Sequence, residues 1–284
     1  MITNPHFFRT LELLNSSQKG VLATVERVQG SGPREVGAWM AVFEDEVVNT
    51  IGGGHLEFDV IAKARAWLAA PDVAEPRNAA DQQNLPMQNL RFALGPSLGQ
   101  CCGGVVDMRL ERISAADIEG LRTRLGQAAQ PLALFGGGHV GKALIQVLGS
   151  LPFEVRWVDS RDEIFPSHIP PHVLCEHSDP VHAAVADVPA GAFVLIMSFS
   201  HAEDLDVVAA CLQRQRERAD LGFIGLIGSK TKWATFKHRL EARGFTKAEL
   251  AHITCPIGVS GIAGKQPEVI AVAVAAQLLQ HVRV

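Results

Sequence analysis

Residues 132–141 read LALFGGGHVG, an apolar run that is followed at once by glycines, and this stretch decides the fold. A short apolar run that ends in glycines is typical of a buried strand, and Val140–Leu148 has the spacing of a helix. The first, third and sixth residues after the run satisfy the pattern G-x-G-x-x-G: Gly136, Gly138 and Gly141. A strand, this turn and a helix together predict the first unit of a Rossmann-like domain.

An acidic residue, Asp159, ends the next predicted strand roughly 20 residues further on, as the dinucleotide fingerprint requires. The glycines let the helix N-terminus face a phosphate, and a carboxylate at this position can accept hydrogen bonds from ribose hydroxyls. His139 lies inside the turn and is a candidate contact to the same ligand. The alternative is a Rossmann turn that serves packing alone and binds no nucleotide.

The second part of the chain alternates short apolar runs with helical patterns, as parallel sheets do. The predicted strands are 132–135, 154–158, 173–175, 193–197 and 222–227, and the helices between them include 140–148, 205–216 and 233–243. The stretch 159–171 is rich in proline, so we expect an irregular crossover there. Residues 129–284 are therefore predicted to form a doubly wound α/β domain.

The first part, residues 1–128, has a different pattern and is predicted to be a small α+β domain. Its helical segments are 7–14, the stretch after 54 and 115–127, and its strands are 20–28, 38–43, 89–94 and 105–110. The polar run 71–86 is predicted to be a surface loop.

Composition excludes several classes of protein. A net charge of -4, a pI near 6.3 and 47% apolar residues describe a compact protein without an electrostatic footprint for nucleic acid or a membrane. The longest apolar stretch, Val269–Leu279, is too short to span a bilayer and is predicted to be a buried helix. With no signal-peptide pattern and five cysteines without framework spacing, we expect a cytoplasmic protein with free thiols.

Two adjacent thiols, Cys101 and Cys102, lie between Gln100 and Gly103 in the stretch LGQCCGG (98–104). Flanking glycines let several N–H groups approach one point, which lowers a thiol pKa and exposes a soft nucleophile. These four residues are candidates for holding a cofactor, and the two cysteines for ligating a metal or relaying sulfur. The alternative is a pair of small buried residues.

A second glycine-rich turn, Gly52, Gly53 and Gly54, precedes His55 at the predicted start of a helix. Exposed N–H groups in such a turn can hold an anion, to which His55 can donate. The alternatives are a tight turn for the glycines and a surface or capping role for the histidine.

Further polar residues follow the predicted strands of the second domain, where ligands bind in open parallel sheets. His201 with Asp204 is a candidate working pair, and Lys230 and Lys232 are candidate phosphate partners. The alternatives are an acidic residue that stabilises a first helical turn and plain surface lysines.

Several catalytic signatures are absent from the sequence. It has no C-x-x-C, H-E-x-x-H, G-x-S-x-G or G-x-x-x-x-G-K-[ST] motif, and it has no tyrosine. These absences give poor support to a zinc site, a serine hydrolase or a P-loop enzyme, and they exclude a dehydrogenase whose acid is a tyrosine hydroxyl.

Taken together, the sequence resembles the XdhC-type xanthine dehydrogenase accessory family. The stretches that carry the resemblance are VLATVERVQGSGPR (21–34), IGGGHLE (51–57), GPSLGQCCGG (95–104), FGGGHVGKA (135–143), GLIGSK (225–230) and PIGVSGIAG (256–264). Phe199 departs from the family, where a histidine is expected in many relatives.

The resemblance implies a molybdenum-cofactor (molybdopterin) chaperone that is not itself an enzyme. Its expected partners are the molybdenum subunit of xanthine dehydrogenase and a sulfur-supplying cysteine desulfurase, and a homodimer is expected. By position, Cys101 or Cys102 holds the cofactor, while the two glycine turns and the basic loops hold its phosphate and pterin. The alternatives are an NAD(P)-dependent oxidoreductase that uses the Rossmann domain and, with less support, a thiol redox protein.

Overall fold

The computed structural model describes residues 5–70, 87–94, 103–126, 129–170 and 173–282. The chain divides into two compact units, the smaller of which spans His6–Gly126, and each is described by itself. Gln100, Cys101 and Cys102 lie outside the described residues, as does the predicted loop 71–86.

The smaller unit is built on an antiparallel sheet with the strand order β3-β2-β1-β5-β4. Its strands are β1 (Gly20–Gln29), β2 (Trp39–Val42), β3 (Val47–Asn49), β4 (Gln88–Ala93) and β5 (Val105–Ile113). Its helices are α1 (Pro5–Asn15), α2 (Gly54–Ala69) and α3 (Ile118–Leu125), the last preceded by a 3₁₀ turn at Ala115–Asp117.

Alternating residues of β1 hold this unit together. Val21 and Ala23 share one buried cluster with Leu56 and Val60 of α2, as the two-residue period of a strand and the 3.6-residue period of a helix require. α1 contributes Phe7, whose ring is fully buried and packs edge-on to a tryptophan of β2. The prediction of an α+β unit ahead of the Rossmann unit is confirmed.

The larger unit contains a parallel sheet with the strand order β11-β10-β9-β6-β7-β8. Its strands are β6 (Gln130–Phe135), β7 (Phe153–Asp159), β8 (Val173–His177), β9 (Phe193–Ile196), β10 (Phe223–Leu226) and β11 (Ile253–Thr254). Its helices are α4 (His139–Leu148), α5 (His201–Arg218), α6 (Lys230–Ala242), α7 (Lys247–Leu250) and α8 (Pro267–His281).

Helices cover both faces of this sheet. Leu132 and Leu134 of β6 belong to a cluster that includes α4 and α8, whereas Ala133 and Phe135 belong to one that includes α5 and α6. Strand order reverses between β6 and β9, because β6 leads outward to β7 and the chain later returns to pair β9 on its other side. This is the doubly wound Rossmann order, and the predicted fold class is confirmed.

The observed elements differ from the predicted ones in two respects. β3, β11 and α7 were not predicted, because two to four residues are too short to show a period. The connection from β8 to β9 is a 3₁₀ segment at Val181–Asp187, and the expected irregular crossover after β7 contains only the turn Asp162–Ile164 within 159–170. In the part of the chain that the structure describes, no helix is both long and apolar enough to cross a membrane.

The turn after β6 passes directly against the end of β9. Gly136 has a φ of 125°, and a Cβ built on it would overlap the carbonyl oxygen of Met197. Its own amide donates to the carbonyl of Val158 at 2.8 Å, and its carbonyl accepts from the buried Trp157 indole at 3.0 Å. Only glycine fits this position.

We therefore expect Gly136→Ala to lower the free energy of unfolding by roughly 2–4 kcal/mol, because the methyl group forces two backbones apart at a positive φ. Gly138→Ala is the matched control, since a Cβ on Gly138 would meet no described atom within 4 Å. Urea denaturation of the two variants measures the difference, and equal stabilities would contradict this account.

Candidate functional site

The candidate site of the larger unit lies at the carboxyl ends of β6 and β9, where strand order reverses. In open α/β sheets this is where the crevice for a ligand forms. α4 begins here at His139 with Gly138 as its N-cap, and no side chain caps it. His139 is exposed, and the space beside Gly138 is open, so a ligand can approach the first N–H groups of α4.

The carboxylate of Asp159 lies beside this turn and is almost completely buried, with 1% exposure. Its Oδ2 accepts from the Gly137 amide at 2.5 Å and from Nη2 of Arg161 at 2.9 Å. Its Oδ1 accepts from the backbone amide and from Nε of Arg161, both at 2.9 Å. The fingerprint acid is therefore fully engaged inside the protein.

Burial alone would raise the pKa of Asp159, but its hydrogen bonds reverse that effect. The Arg161 guanidinium, the Gly137 amide and the Arg161 amide together hold this pKa below its ordinary value of 3.8. The same contact raises the pKa of Arg161. The pair is consequently ionised across the physiological range.

The Arg161 guanidinium also packs over the ring of Phe199, with 4.4 Å between its central carbon and the ring centroid. Phe199 is 65% exposed and belongs to the loop between β9 and α5. Glu203 holds this loop, since it accepts from the Phe199 amide at 3.0 Å and from the Ser160 hydroxyl at 2.8 Å. The loops after β7 and β9 are thus tied together beside the glycine-rich turn.

A buried ion pair joins α5, which follows β9, to α6, which follows β10. Lys232 Nζ lies 2.6 Å from Asp204 Oδ2 and donates to the Ile227 carbonyl at 2.9 Å. Asp204 Oδ1 accepts from the Ser198 amide at 2.7 Å. Burial raises the pKa of the nearby Cys255 thiol, with the charge of Lys232 acting in the opposite direction, so this cysteine is not an activated nucleophile.

The predicted pairing of His201 with Asp204 is wrong, because Asp204 is committed to Lys232 and His201 is exposed, its ring centroid 6.3 Å from that of Phe236. Lys232 acts inside the protein, whereas Lys230 is exposed at the first position of α6, after the N-cap Ser229. His201 holds the equivalent place in α5. Both remain candidate ligand contacts.

The glycine-rich turn of the smaller unit is occupied by the protein's own carboxylate. Oε2 of Glu57 accepts from the amides of Ile51 and Gly53 at 3.0 and 3.2 Å and from the Thr50 hydroxyl at 2.5 Å. The Gly52 amide donates to the Thr50 hydroxyl at 3.0 Å. The N–H groups of 51–53 therefore have internal partners, and the accessible residues that remain are the exposed Gly54 and His55.

The described residues on either side of the paired cysteines, Leu94 and Gly104, are joined by a hydrogen bond. The Leu94 amide donates to the Gly104 carbonyl at 2.7 Å, and a Cβ on Gly104 would overlap the backbone of Ser31. Gly103 is exposed. Within the described residues no group of three or more His, Cys, Asp or Glu side chains is arranged to hold a metal ion.

Two family models match this chain. The XdhC Rossmann domain matches residues 132–278, and the XdhC and CoxI family matches residues 13–73. The first covers more than half of the chain and spans the whole crevice described above. The chain belongs to the XdhC family.

The chain is also similar to one curated protein and to one solved structure. It is 26% identical to the uncharacterized protein YqeB of Escherichia coli over 91% of its own length but spans only 43% of that protein. The crystal structure of a xanthine dehydrogenase from Bacillus halodurans superposes with a TM-score of 0.73 at 21% identity, covering 97% of this chain and 95% of the other. The second match confirms the fold of the XdhC chain.

Sequence reasoning missed Arg161 and Glu57, the residues that fill the two predicted ligand positions. Each is close in sequence to the group that it engages: Arg161 follows Asp159 by two residues, and Glu57 accepts from groups four to seven residues before it. An arginine two residues after the fingerprint acid, and a glutamate in the first turn after three glycines, were the available signals.

We expect Lys232→Met to lower the free energy of unfolding by about 3 kcal/mol, because it leaves Asp204 charged and buried without its partner. The two side chains are only 11% and 3% exposed. Arg243→Met is the control, since its ion pair with Asp206 is nearly half exposed on both sides and is worth about 0.5 kcal/mol. Chemical denaturation checks the difference, and similar losses in both variants would refute it.

The Asp159–Arg161 pair predicts a pH dependence with a defined sign. Because folding lowers the pKa of Asp159 below 3.8, the pair's contribution is complete above about pH 4 and is lost as the pH falls through the folded-state pKa. The stability difference between the wild type and Arg161→Gln should therefore narrow between pH 7 and pH 3. The stability difference between the wild type and Gly138→Ala should stay constant over the same pH range. A stability difference that widens for Arg161→Gln as the pH falls would contradict the prediction.

Proposed function

We propose that this protein acts in the cytoplasm as a molybdenum-cofactor chaperone for xanthine dehydrogenase. The observation that carries the proposal is the uncapped N-terminus of α4 beside the open space at Gly138, in a chain of the XdhC family. A helix start of this kind binds phosphate groups, and molybdopterin carries one. In this role the protein binds the cofactor and delivers it, and it does not catalyse the conversion of a metabolite.

The described residues fit such a ligand. The first amides of α4 can hold a phosphate, and His139, His201 and Lys230 are exposed at the starts of three helices that follow β6, β9 and β10. The Ser198 hydroxyl at the end of β9 is buried and has no hydrogen-bond partner among the described residues, so it can donate to a polar group of the ligand.

Cys101 and Cys102 supply the soft thiolates in this proposal. Thiolates ligate metals and carry transferable sulfur, and these two thiols are adjacent in the sequence between Gln100 and Gly103. The cofactor supplies the molybdenum centre that the dehydrogenase uses, and the protein's part is to hold it while a cysteine desulfurase provides sulfur. The other partner is the dehydrogenase's molybdenum subunit, and we propose a homodimer as the working form.

The alternative, an NAD(P)-dependent oxidoreductase, has the fingerprint in its favour. Two observations weigh against it. The Asp159 carboxylate already accepts hydrogen bonds from Gly137 and Arg161. The chain also has no tyrosine that could act as the general acid during hydride transfer.

The proposal predicts that Cys101→Ser or Cys102→Ser lowers co-purified molybdopterin at least about tenfold, because a neutral serine hydroxyl binds a metal more weakly than a thiolate does and cannot carry transferable sulfur. Pterin fluorescence after oxidation and molybdenum analysis, each per mole of protein purified anaerobically, measure the effect.

Cys175→Ser is the matched control, since Cys175 lies half-buried on the edge strand β8 and burial raises its pKa. Undiminished molybdopterin in both single variants and in the double variant would end the proposal. Loss of molybdopterin in the Cys175 variant as well would point to general damage and likewise count against it.

A further inference from the structure

The Asp159 carboxylate has no capacity to accept another hydrogen bond. A carboxylate offers about four acceptor positions, two on each oxygen. Gly137 and the Arg161 guanidinium fill those of Oδ2, and the Arg161 amide and guanidinium fill those of Oδ1. The three Arg161 nitrogens lie 2.9 Å from the carboxylate oxygens, a distance typical of charge-assisted hydrogen bonds, and the Gly137 amide nitrogen lies 2.5 Å from Oδ2.

A dinucleotide that carries no phosphate on its adenosine ribose, such as NAD(H), needs those same positions. In a Rossmann crevice the acid at the end of the second strand accepts from the ribose hydroxyls, and a vicinal diol brings two donors to one carboxylate. Here the diol would have to displace the Arg161 guanidinium, which would then lose its carboxylate partner and its ordered position over Phe199. A neutral hydroxyl is a weaker donor to a carboxylate than a guanidinium.

We propose that Arg161 is a specificity-determining residue, which closes the crevice to ligands that bind through a ribose diol and leaves it to ligands that bind through phosphate at α4. Arg161 acts through Asp159, because its guanidinium fills one acceptor position on each oxygen of that carboxylate. The inference deepens the proposed function, because it names the class of abundant competitor, NAD(H), that a cofactor chaperone with this fold must reject.

The geometry predicts what removal of the guanidinium does. In Arg161→Ala the backbone amide at position 161 still reaches Oδ1, and the Gly137 amide still reaches Oδ2. One acceptor position opens on each oxygen, which matches the two hydroxyls of a ribose. The variant is thus expected to gain a ligand that the wild type rejects.

The test is calorimetric titration of the full chain with NAD⁺. Arg161→Ala should bind NAD⁺ at least about tenfold more tightly than the wild type, and Arg161→Ala combined with Asp159→Asn should lose the gain. An NAD⁺ analogue without the adenosine 2′-hydroxyl should show a smaller gain than NAD⁺. Arg156→Ala is the matched control, since it breaks an ion pair with Glu176 between β7 and β8 and leaves Asp159 untouched.

Arg161→Lys provides a second test if the alanine variant does not fold. Because a lysine cannot fill the acceptor positions on both Asp159 oxygens, this variant should show a smaller gain in NAD⁺ affinity of the same sign. Wild-type affinity for NAD⁺ equal to that of Arg161→Ala would overturn the proposal, as would a gain that persists with Asp159→Asn. NAD⁺ binding is measured separately from molybdopterin content, so the failure of this inference and that of the chaperone role are distinguishable.

Discussion

The Rossmann unit depends on the close approach of two backbones, where the turn at Gly136 passes against the Met197 peptide between β6 and β9. Trp157 and Val158 hold the turn from the neighbouring strand, so its position is fixed from both sides. This contact leaves no room for a side chain at Gly136, and α4 begins three residues later after Gly138, an N-cap residue that has no side chain to cap the first amides. The ligand-binding capacity of the unit follows from that placement.

Both glycine-rich turns contain a carboxylate of the protein itself. Glu57 accepts from two amides in the turn before α2, and Asp159 accepts from Gly137 in the turn before α4. Charge-assisted bonds of this kind order a turn whose glycines would otherwise make it flexible. The same bonds use up donors that an external anion would need. Each turn is therefore rigid, and the amides open to a ligand are those at the helix start.

The fold was predictable because its signals are local. The apolar run 132–135, the spaced glycines and the alternation of strands and helices all act over a few residues. The state of the candidate site was not predictable, because it depends on which side chain reaches which partner. Asp204 pairs with Lys232, 28 residues away, instead of with His201 in the same first turn of α5. Asp159 has the position of a ribose-binding acid, but the guanidinium of Arg161 decides whether it can act as one.

The distribution of polar groups at the strand ends carries the functional argument one step further. The buried charges, Asp159 and Asp204, are paired with cations of the same chain, as the cost of burying an isolated charge requires. The exposed residues His139 and Lys230 lie at helix starts. A ligand of this crevice thus meets the backbone amides of a helix start and the ammonium group of Lys230, an environment that selects for negative charge. The Asp159 carboxylate, which could accept from a ribose diol, is already occupied by Arg161. A crevice that selects by charge alone suits a cofactor bound through its phosphate better than a nucleotide recognised through its ribose.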